Sequence, residues 1–309
     1  MLPPISRADL MRDLRVLGIR KGDILNLKVS MASIGYVAGG PRTLIGALLE
    51  TVSTEGTLVA ESFVRVYPLP LSEENSRHIS DRYTPSYAGS LANAMIHYPG
   101  SCRSAHPVQS FTAIGKLAQT LTSNHTPDSY AYDVLRVMAQ ELDARNLKIG
   151  TDAKVTGVGT THVAIGLLGL HQNRPALGTN YYDYATGEVK TFRLNWSGGC
   201  AKGFSNFIPL YYSYGAVLSE GKVGQADSKI TSMKKTLEIE LETLTRDKTF
   251  FFCGNPKCTS CRSWDFSPDP LPSSKAETKQ ESAQTPRSGL LKRVARGTKL
   301  LAREVITGV

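Results

Sequence analysis

A buried strand, a glycine-bearing loop, a helix and a second buried strand follow one another between Ile24 and Ser62, and this succession constrains the fold more than any other stretch. Ile24 to Val29 reads as a strand. The loop from Ser30 to Gly40 leads into a helix opened by Pro41, on which Leu44, Ala47, Leu48 and Val52 recur at helical spacing. Gly56 to Ser62 then reads as another buried strand, and strands alternating with helices suit an α/β layout.

The rest of the chain extends this pattern. Ser6-Arg7-Ala8-Asp9 is a capping box, and Leu10, Leu14 and Leu17 mark a helix that Gly18 ends. Val66 to Arg82, with Pro68 and Pro70, reads as a long surface loop. A helix after Thr84-Pro85 presents Leu91, Ala94, Met95 and Tyr98 and stops at Pro99-Gly100. Ile114, Leu117 and Leu121 mark a helix, as do Val134, Leu135, Met138 and Leu142, and a strand is expected at Leu147 to Gly150. Thr161 to Leu170 is apolar and helical in pattern. Thr186-Gly187 joins two alternating stretches, Tyr181 to Ala185 and Glu188 to Leu194, as a hairpin. Ile230, Met233, Leu237, Leu241 and Leu244 mark the last amphipathic helix before a final strand at Thr249 to Phe252.

The 309 residues, 41% hydrophobic, can bury a sizeable core. A single domain over 1–264 is expected, with a subdomain around 175–264 able to hold a metal. No apolar run is long enough for a membrane span and no charged leader precedes one, so a cytoplasmic protein is expected. More than half of the net charge of +9 falls in residues 274–309, which leaves the body near ordinary in charge and gives no reason to expect nucleic-acid binding. Residues 265–288, rich in Pro, Ser, Lys, Glu and Gln, read as a disordered linker. Residues 289–309 read as a basic amphipathic helix. Leu290, Leu291, Val294, Leu301 and Val305 are available to dock on the body, on a second copy in a homodimer, on a membrane surface or on a protein partner.

Pro99 to Gly115 forms an expected loop that crowds His106 with the hydroxyls of Ser104 and Ser110. His106 either caps a neighbouring element through its ring nitrogens or belongs to a site. Arg103-Ser104-Ala105-His106-Pro107-Val108-Gln109-Ser110 resembles the Arg-Ser-x-His-Pro-x-x-Ser signature of the aminoglycoside 3-N-acetyltransferase family. Similar to that family, in order, are Leu17 to Asp23, Ser33 to Gly40 with Thr43-Leu44-Ile45, Gly56-Thr57-Leu58, Tyr83-Thr84-Pro85 and Thr160-Thr161-His162-Val163-Ala164. The resemblance spans roughly residues 10 to 262.

That resemblance implies an α/β fold with a mixed central sheet, flanking helices and an antiparallel subdomain. It also implies coenzyme A-dependent transfer of an acetyl group from acetyl-CoA to a primary amine of an amino-sugar or aminoglycoside-like substrate. His162 is implied as the general base, since an imidazole titrates near neutral pH and can accept the proton an amine must lose. Ser30, Ser33, Gly39, Gly40 and Thr43 are implied as the coenzyme A cradle, where glycines permit close backbone approach at a helix N-terminus. His106, Arg103 and Ser104 would border the thioester and donate to its oxygen.

Three departures stand out. Ile165 occupies the place where the family usually carries glutamate, which leaves Asp133, Asp152 and Asp183 as unranked candidates for orienting the imidazole. Lys28-Val29-Ser30 stands where the family more often has His-Ser-Ser, and Asn195-Trp196-Ser197 stands where acidic residues often contact the amino-sugar. A catalytically degenerate, zinc-binding scaffold is therefore the alternative reading.

The cysteines make a separate argument. Cys253, Cys258 and Cys261 lie on one tight loop, and Cys200 lies in the glycine-rich Ser197-Gly198-Gly199-Cys200-Ala201-Lys202-Gly203. Four sulfurs complete a tetrahedral site for which zinc is favoured, with an iron–sulfur cluster or separately buried thiols as alternatives. Cys102 is a bystander to that set. A nucleic-acid-binding zinc protein, resting only on this loop and the basic tail, ranks last.

Overall fold

The computed structural model describes residues 3–151 and 157–266. The linker beyond residue 266, the 289–309 helix and Asp152 lie outside them.

Ser6 caps the helix Arg7–Leu17: its hydroxyl accepts from the Asp9 amide while the Asp9 carboxylate accepts from the Ser6 amide. Gly18 ends the helix with φ 104°, a left-handed conformation that favours glycine. Leu10, Leu14 and Leu17, three to four residues apart, are all buried on its inner face.

A seven-stranded mixed sheet forms the middle layer. Its spatial order is Val217–Val223, Ala226–Ser232, Arg145–Ile149, Ile24–Val29, Thr57–Glu61, Phe111–Gly115 and Cys102–Arg103. Ile24–Val29 pairs in parallel with both Thr57–Glu61 and Arg145–Ile149, and the outer pairings are antiparallel. Side chains alternate between two apolar layers, as strand geometry requires. Leu25, Leu27, Leu58 and Ala60 pack with the helices Arg7–Leu17 and Gly40–Val52. Val59, Phe111 and Ala113 instead join Leu135, Val163 and Leu237 on the opposite face. Burial on both faces explains the nearly unbroken apolar character of the central strands.

One polar thread crosses that interior. Asn26 Nδ2 donates to Asn146 Oδ1 at 2.9 Å, and Asn146 Nδ2 donates to Thr231 Oγ1 at 3.2 Å. Leaving such buried groups unpaired costs about 1–3 kcal/mol each, so the thread favours one register across three adjacent strands.

The expected α/β class and mixed sheet are what the chain adopts, and several local expectations change. Ile114 lies on the strand Phe111–Gly115, paired with Thr57–Glu61, and helix begins only at Ala118. Ile230 is a strand residue, and the last long helix runs Met233–Arg246. Residues 249–252 form turn and irregular chain, not a strand. The expected loop from Val66 to Arg82 contains the short strands Tyr67–Pro68 and Ile79–Ser80, which pair with Leu177–Asp183 beside Glu188–Arg193 in a separate, mainly antiparallel sheet. The region 175–264 is thus divided among separate sheets: Trp264 pairs with Gln172 in a two-stranded sheet, and the hairpin Val217–Val223 and Ala226–Ser232 joins the central one. That hairpin was hard to foresee: it lies at a sheet edge, and Leu218, Glu220, Gly221 and Lys222 on its outer strand are exposed. Among the described residues no helix is long and apolar enough to cross a membrane.

The helix Thr160–Leu167 is seated on Met233–Arg246 by a buried carboxyl group. Thr161 Oγ1 donates to Glu240 Oε1 at 2.6 Å, the Tyr211 hydroxyl donates to the same oxygen, and Thr160 Oγ1 donates to Thr236 Oγ1 at 3.1 Å. Burial pushes the Glu240 carboxyl up from 4.5 to about 7, against the opposing effect of these hydroxyls. A raised folded-state value means that folding favours the protonated form, so this contribution is present below pH 4.5 and is lost as pH rises toward 7. The full loss amounts to about 3 kcal/mol. Glu240→Gln, which keeps an acceptor but removes the charge, is expected to narrow the difference in urea-unfolding stability between pH 4.5 and 8 by that order. An unchanged difference would refute the assignment.

Candidate active site

The parallel strands direct their C-terminal ends toward one side of the sheet, the side on which open α/β sheets bind ligands. Lys28 and Glu61 sit at two of these ends. Their ion pair, Lys28 Nζ to Glu61 Oε1 at 3.2 Å, is mostly shielded from water. Gly159, φ 87°, precedes the helix that carries His162. A Cβ there would lie 2.6 Å from Leu135 Cδ1 and 3.3 Å from Glu61 Oε1, so glycine alone lets the helix start this close to the carboxylate.

His162 is held between aromatic rings. It stacks on Tyr132 at 4.4 Å with planes 3° apart, and meets Phe204 edge-on at 5.1 Å. Its Nδ1 is buried and, among the described residues, has no hydrogen-bond partner. Burial pushes the imidazole down to about 4; Lys28 and Arg174 push the same way, while Glu61 and the Gly198 backbone oppose them. His162 is therefore neutral at physiological pH, with an unshared nitrogen lone pair.

Among the described residues the carboxylate that raises the His162 pKa is Glu61, which was not among the sequence candidates; the candidate Asp152 lies outside those residues. Asp133 accepts from Arg136 Nε at 2.9 Å and from the Tyr130 amide, and Asp183 pairs with Lys190 at 2.6 Å. Each is thus engaged by a neighbouring cation, whereas Glu61 raises the His162 pKa. Ile165 has no exposed surface and packs with Val163 and Ala164 in the apolar layer, where a fully buried side chain of this size contributes about 1.5–3 kcal/mol. A glutamate at the end of an expected buried strand was the available signal, since its lysine partner, Lys28, is distant in sequence.

His106 serves the loop and faces the site. Its Nδ1 accepts from the amides of Val108 and Gln109 at 3.3 and 3.0 Å, so in the neutral ring the proton resides on Nε2. That Nε2 is buried without a partner among the described residues. Burial, aided by His125, pushes His106 down to about 3. His125, missed in the sequence, stacks on His106 at 4.9 Å. It accepts from the Ser104 hydroxyl at 2.9 Å through Nδ1 and donates to the Tyr130 carbonyl at 3.2 Å. Trp196 meets His106 edge-on at 5.4 Å and its indole also lowers the pKa of Tyr132, the ring on which His162 stacks, linking the surroundings of the two histidines. Gln109 extends that link by donating to Glu61 Oε2 at 3.3 Å.

The neighbours of His106 are more committed. Arg103 donates to Ser110 Oγ, Arg82 O, Thr84 O and Ser62 O at 2.6–3.1 Å, and Ser104 Oγ also accepts from the Phe111 amide. Arg103 is a clamp on three chain segments. A cleft of about 980 Å³ opens outside them, lined by His106, Arg82, Asp128, Tyr181, Asp183 and Lys190 among others.

The expected cradle lies elsewhere along the strand ends. Ser30 and Ser33 hydroxyls bond each other at 2.8 Å, Ser33 donates to Gly150 O at 2.8 Å, and Thr43 donates to Ala38 O at 2.6 Å. Gly39 and Gly40 both have positive φ before the helix Gly40–Val52, and a Cβ on Gly40 would meet open space. None of these five residues lines the large cleft. Cys200, Cys253, Cys258 and Cys261 do converge, with all four sulfurs within 4.8 Å of one another.

Comparison with known proteins places these features in a context. The family model described as aminoglycoside 3-N-acetyltransferase matches residues 27–245. Aminoglycoside N(3)-acetyltransferase VIII of Streptomyces fradiae is 36% identical over 138 residues, covering 40% of this chain and 48% of its own length. The chain thus spans about half the length of the curated relatives it matches. Among solved structures, aminoglycoside acetyltransferase AAC(3)-Xa superposes with TM-score 0.67 at 25% identity, covering 78% of this chain and 93% of that one. AAC-IIIb, solved as a binary complex with CoASH, superposes with TM-score 0.66 at 21% identity over 78% of this chain and 96% of its own.

Lys28 and Glu61 bias the His162 charge in opposite directions. Lys28→Met is expected to raise the His162 titration midpoint and Glu61→Gln to lower it, both read from the ring resonances by NMR. Shifts of the same sign would exclude the arrangement.

Proposed function

We propose an activity from one established premise: the chain belongs to the aminoglycoside 3-N-acetyltransferase family. It transfers an acetyl group from acetyl-CoA to a primary amine of an amino-sugar or aminoglycoside-like acceptor. The observation that carries this reading is the neutral His162, whose Nδ1 has no partner among the described residues and whose charge is acted on by Glu61 at the strand ends.

His162 Nδ1 takes the proton that the acceptor nitrogen must lose to attack. Glu61, although paired with Lys28, stabilises the resulting imidazolium and so fills the role for which Ile165 has no chemistry. His106 donates its Nε2 proton toward the thioester oxygen as negative charge develops there; being neutral, it does so as a hydrogen-bond donor, not as an acid. The nitrogen–carbon bond forms, the carbon–sulfur bond breaks, and His162 returns its proton to the departing thiolate. The amine's proton thus ends on coenzyme A.

The Ser30–Thr43 loop holds the coenzyme A phosphates at the N-terminus of Gly40–Val52, where backbone amides and the helix dipole favour anions. The solved CoASH complex of AAC-IIIb supports that cosubstrate. Because Ser30, Ser33 and Thr43 donate to protein acceptors, backbone groups around Gly39 and Gly40 carry the contact. Asp128 and Asp183 give the adjoining cleft carboxylates suited to an ammonium-bearing acceptor. A second reading, a non-catalytic scaffold, rests on Ile165 and on Arg103 being committed to protein acceptors.

Coenzyme A release from acetyl-CoA, measured across aminoglycosides, amino-sugars and simple amines, separates these readings. Amine-dependent release is expected, and His162→Ala should lower kcat/KM on the order of 10²–10⁴-fold while acetyl-CoA still binds. Cosubstrate binding without release for any acceptor favours the scaffold. Absence of coenzyme A binding overturns both the cradle and the transferase reading.

A further inference from the structure

The cysteine cluster lies outside the transfer chemistry and has a geometry of its own. Cys200 Sγ is 3.8 Å from Cys258 Sγ, and Cys261 Sγ is 3.7 Å from Cys253 Sγ. A disulfide requires about 2.05 Å. Four sulfurs at about 2.3 Å from a central ion would instead lie about 3.8 Å apart along the edges of a tetrahedron. The Cys253 amide also donates to Cys261 Sγ at 3.4 Å, the kind of outer contact that steadies a thiolate.

The backbone is shaped to bring these sulfurs together. A Cβ at Gly199 would fall 2.1 Å from Phe204 Cζ, so that glycine lets its own loop fold back on the Phe204 ring. One at Gly203 would fall 1.8 Å from the Phe251 carbonyl oxygen, so this glycine permits the close approach of the two loops. Gln172 bridges them as well, accepting from the Gly198 amide at 2.8 Å and donating to Ser263 Oγ at 2.9 Å. The donor set contains sulfur only, a chemistry that selects a soft or borderline ion and leaves no open position for substrate.

We propose that Cys200, Cys253, Cys258 and Cys261 bind one structural zinc ion that clasps the 196–204 loop to the 251–264 segment. The clasp matters for the active site because Phe204, four residues beyond Cys200, packs edge-on against His162, and Phe204 packs in turn on Phe251 at 6.2 Å. Cys102 lies beside Gln119 and takes no part.

The full chain, purified without added metal, is assayed by elemental mass spectrometry together with a thiol count in denaturant and chelator. One zinc per chain and five reactive thiols are expected. Cys102→Ser should retain the metal, and Cys258→Ser should lose it. Exchange of the wild-type protein into cobalt gives a readout that does not depend on a folded variant: intense visible bands of tetrahedral thiolate coordination are expected. Metal release by a mercurial should speed amide hydrogen exchange in residues 200–204. A single reactive thiol would mean two disulfides and overturn the proposal, as would bound iron or five thiols with neither zinc nor cobalt uptake. Unchanged exchange after release would overturn the clasp.

Discussion

Three parallel strands, Arg145–Ile149, Ile24–Val29 and Thr57–Glu61, lie under apolar layers on both faces, so only their ends are free to carry chemistry. The buried thread from Asn26 through Asn146 to Thr231 ties the first two to the neighbouring Ala226–Ser232 and resists a slip that would turn polar side chains into the wrong layer. Lys28 and Glu61 therefore meet because of where the strands end. The helix bearing His162 meets them because Gly159 has no side chain and because Glu240 holds Thr161 from behind.

Within that frame, a carboxylate on a neighbouring strand, Glu61, acts on the His162 charge, while the histidine's own helix carries Ile165. A glutamate at position 165 would point into the layer of Val163 and Ala164, which Ile165 now fills without a desolvation cost. Moving the charge to Glu61 puts it beside Lys28, so the carboxylate does not stand alone in a partly dry site. The consequence is a weaker pull on the imidazole than an unpaired acid would exert: burial and Lys28 together outweigh Glu61, and His162 stays well below its ordinary range.

Much of the architecture was legible where periodicity and capping agree. The helix Arg7–Leu17 shows both in its capping box and leucine spacing, and the hairpin around Thr186-Gly187 shows its turn residues between alternating stretches. Legibility failed where context overrides pattern. Ile114 and Ile230 fit a helical spacing with later residues, yet sheet pairing claims both, because their apolar side chains complete the layer against Gly40–Val52. The site was legible by residue type more than by partner. His162, His106 and the four cysteines stand out in the chain, but Glu61 and His125 act through neighbours distant in sequence, and Arg103 is tied to carbonyls that no spacing reveals.

The two histidines show how one side chain acquires opposite roles from its surroundings. Both are desolvated and neutral, so neither is distinguished by charge. His106 has its Nδ1 engaged by two backbone amides, which forces the proton onto Nε2 and makes the remaining nitrogen a donor. Among the described residues no donor reaches His162 Nδ1, while the stacked Tyr132 and the edge of Phe204 restrict the ring without consuming its lone pair. An acceptor and a donor are thereby built from identical residues, and the Trp196 and Gln109 contacts keep their surroundings mechanically joined. The difference between the two rings depends on the backbone of residues 108–109, which engages His106, and on the 196–204 loop, which supplies Phe204 against His162 and also carries Cys200 of the cysteine cluster.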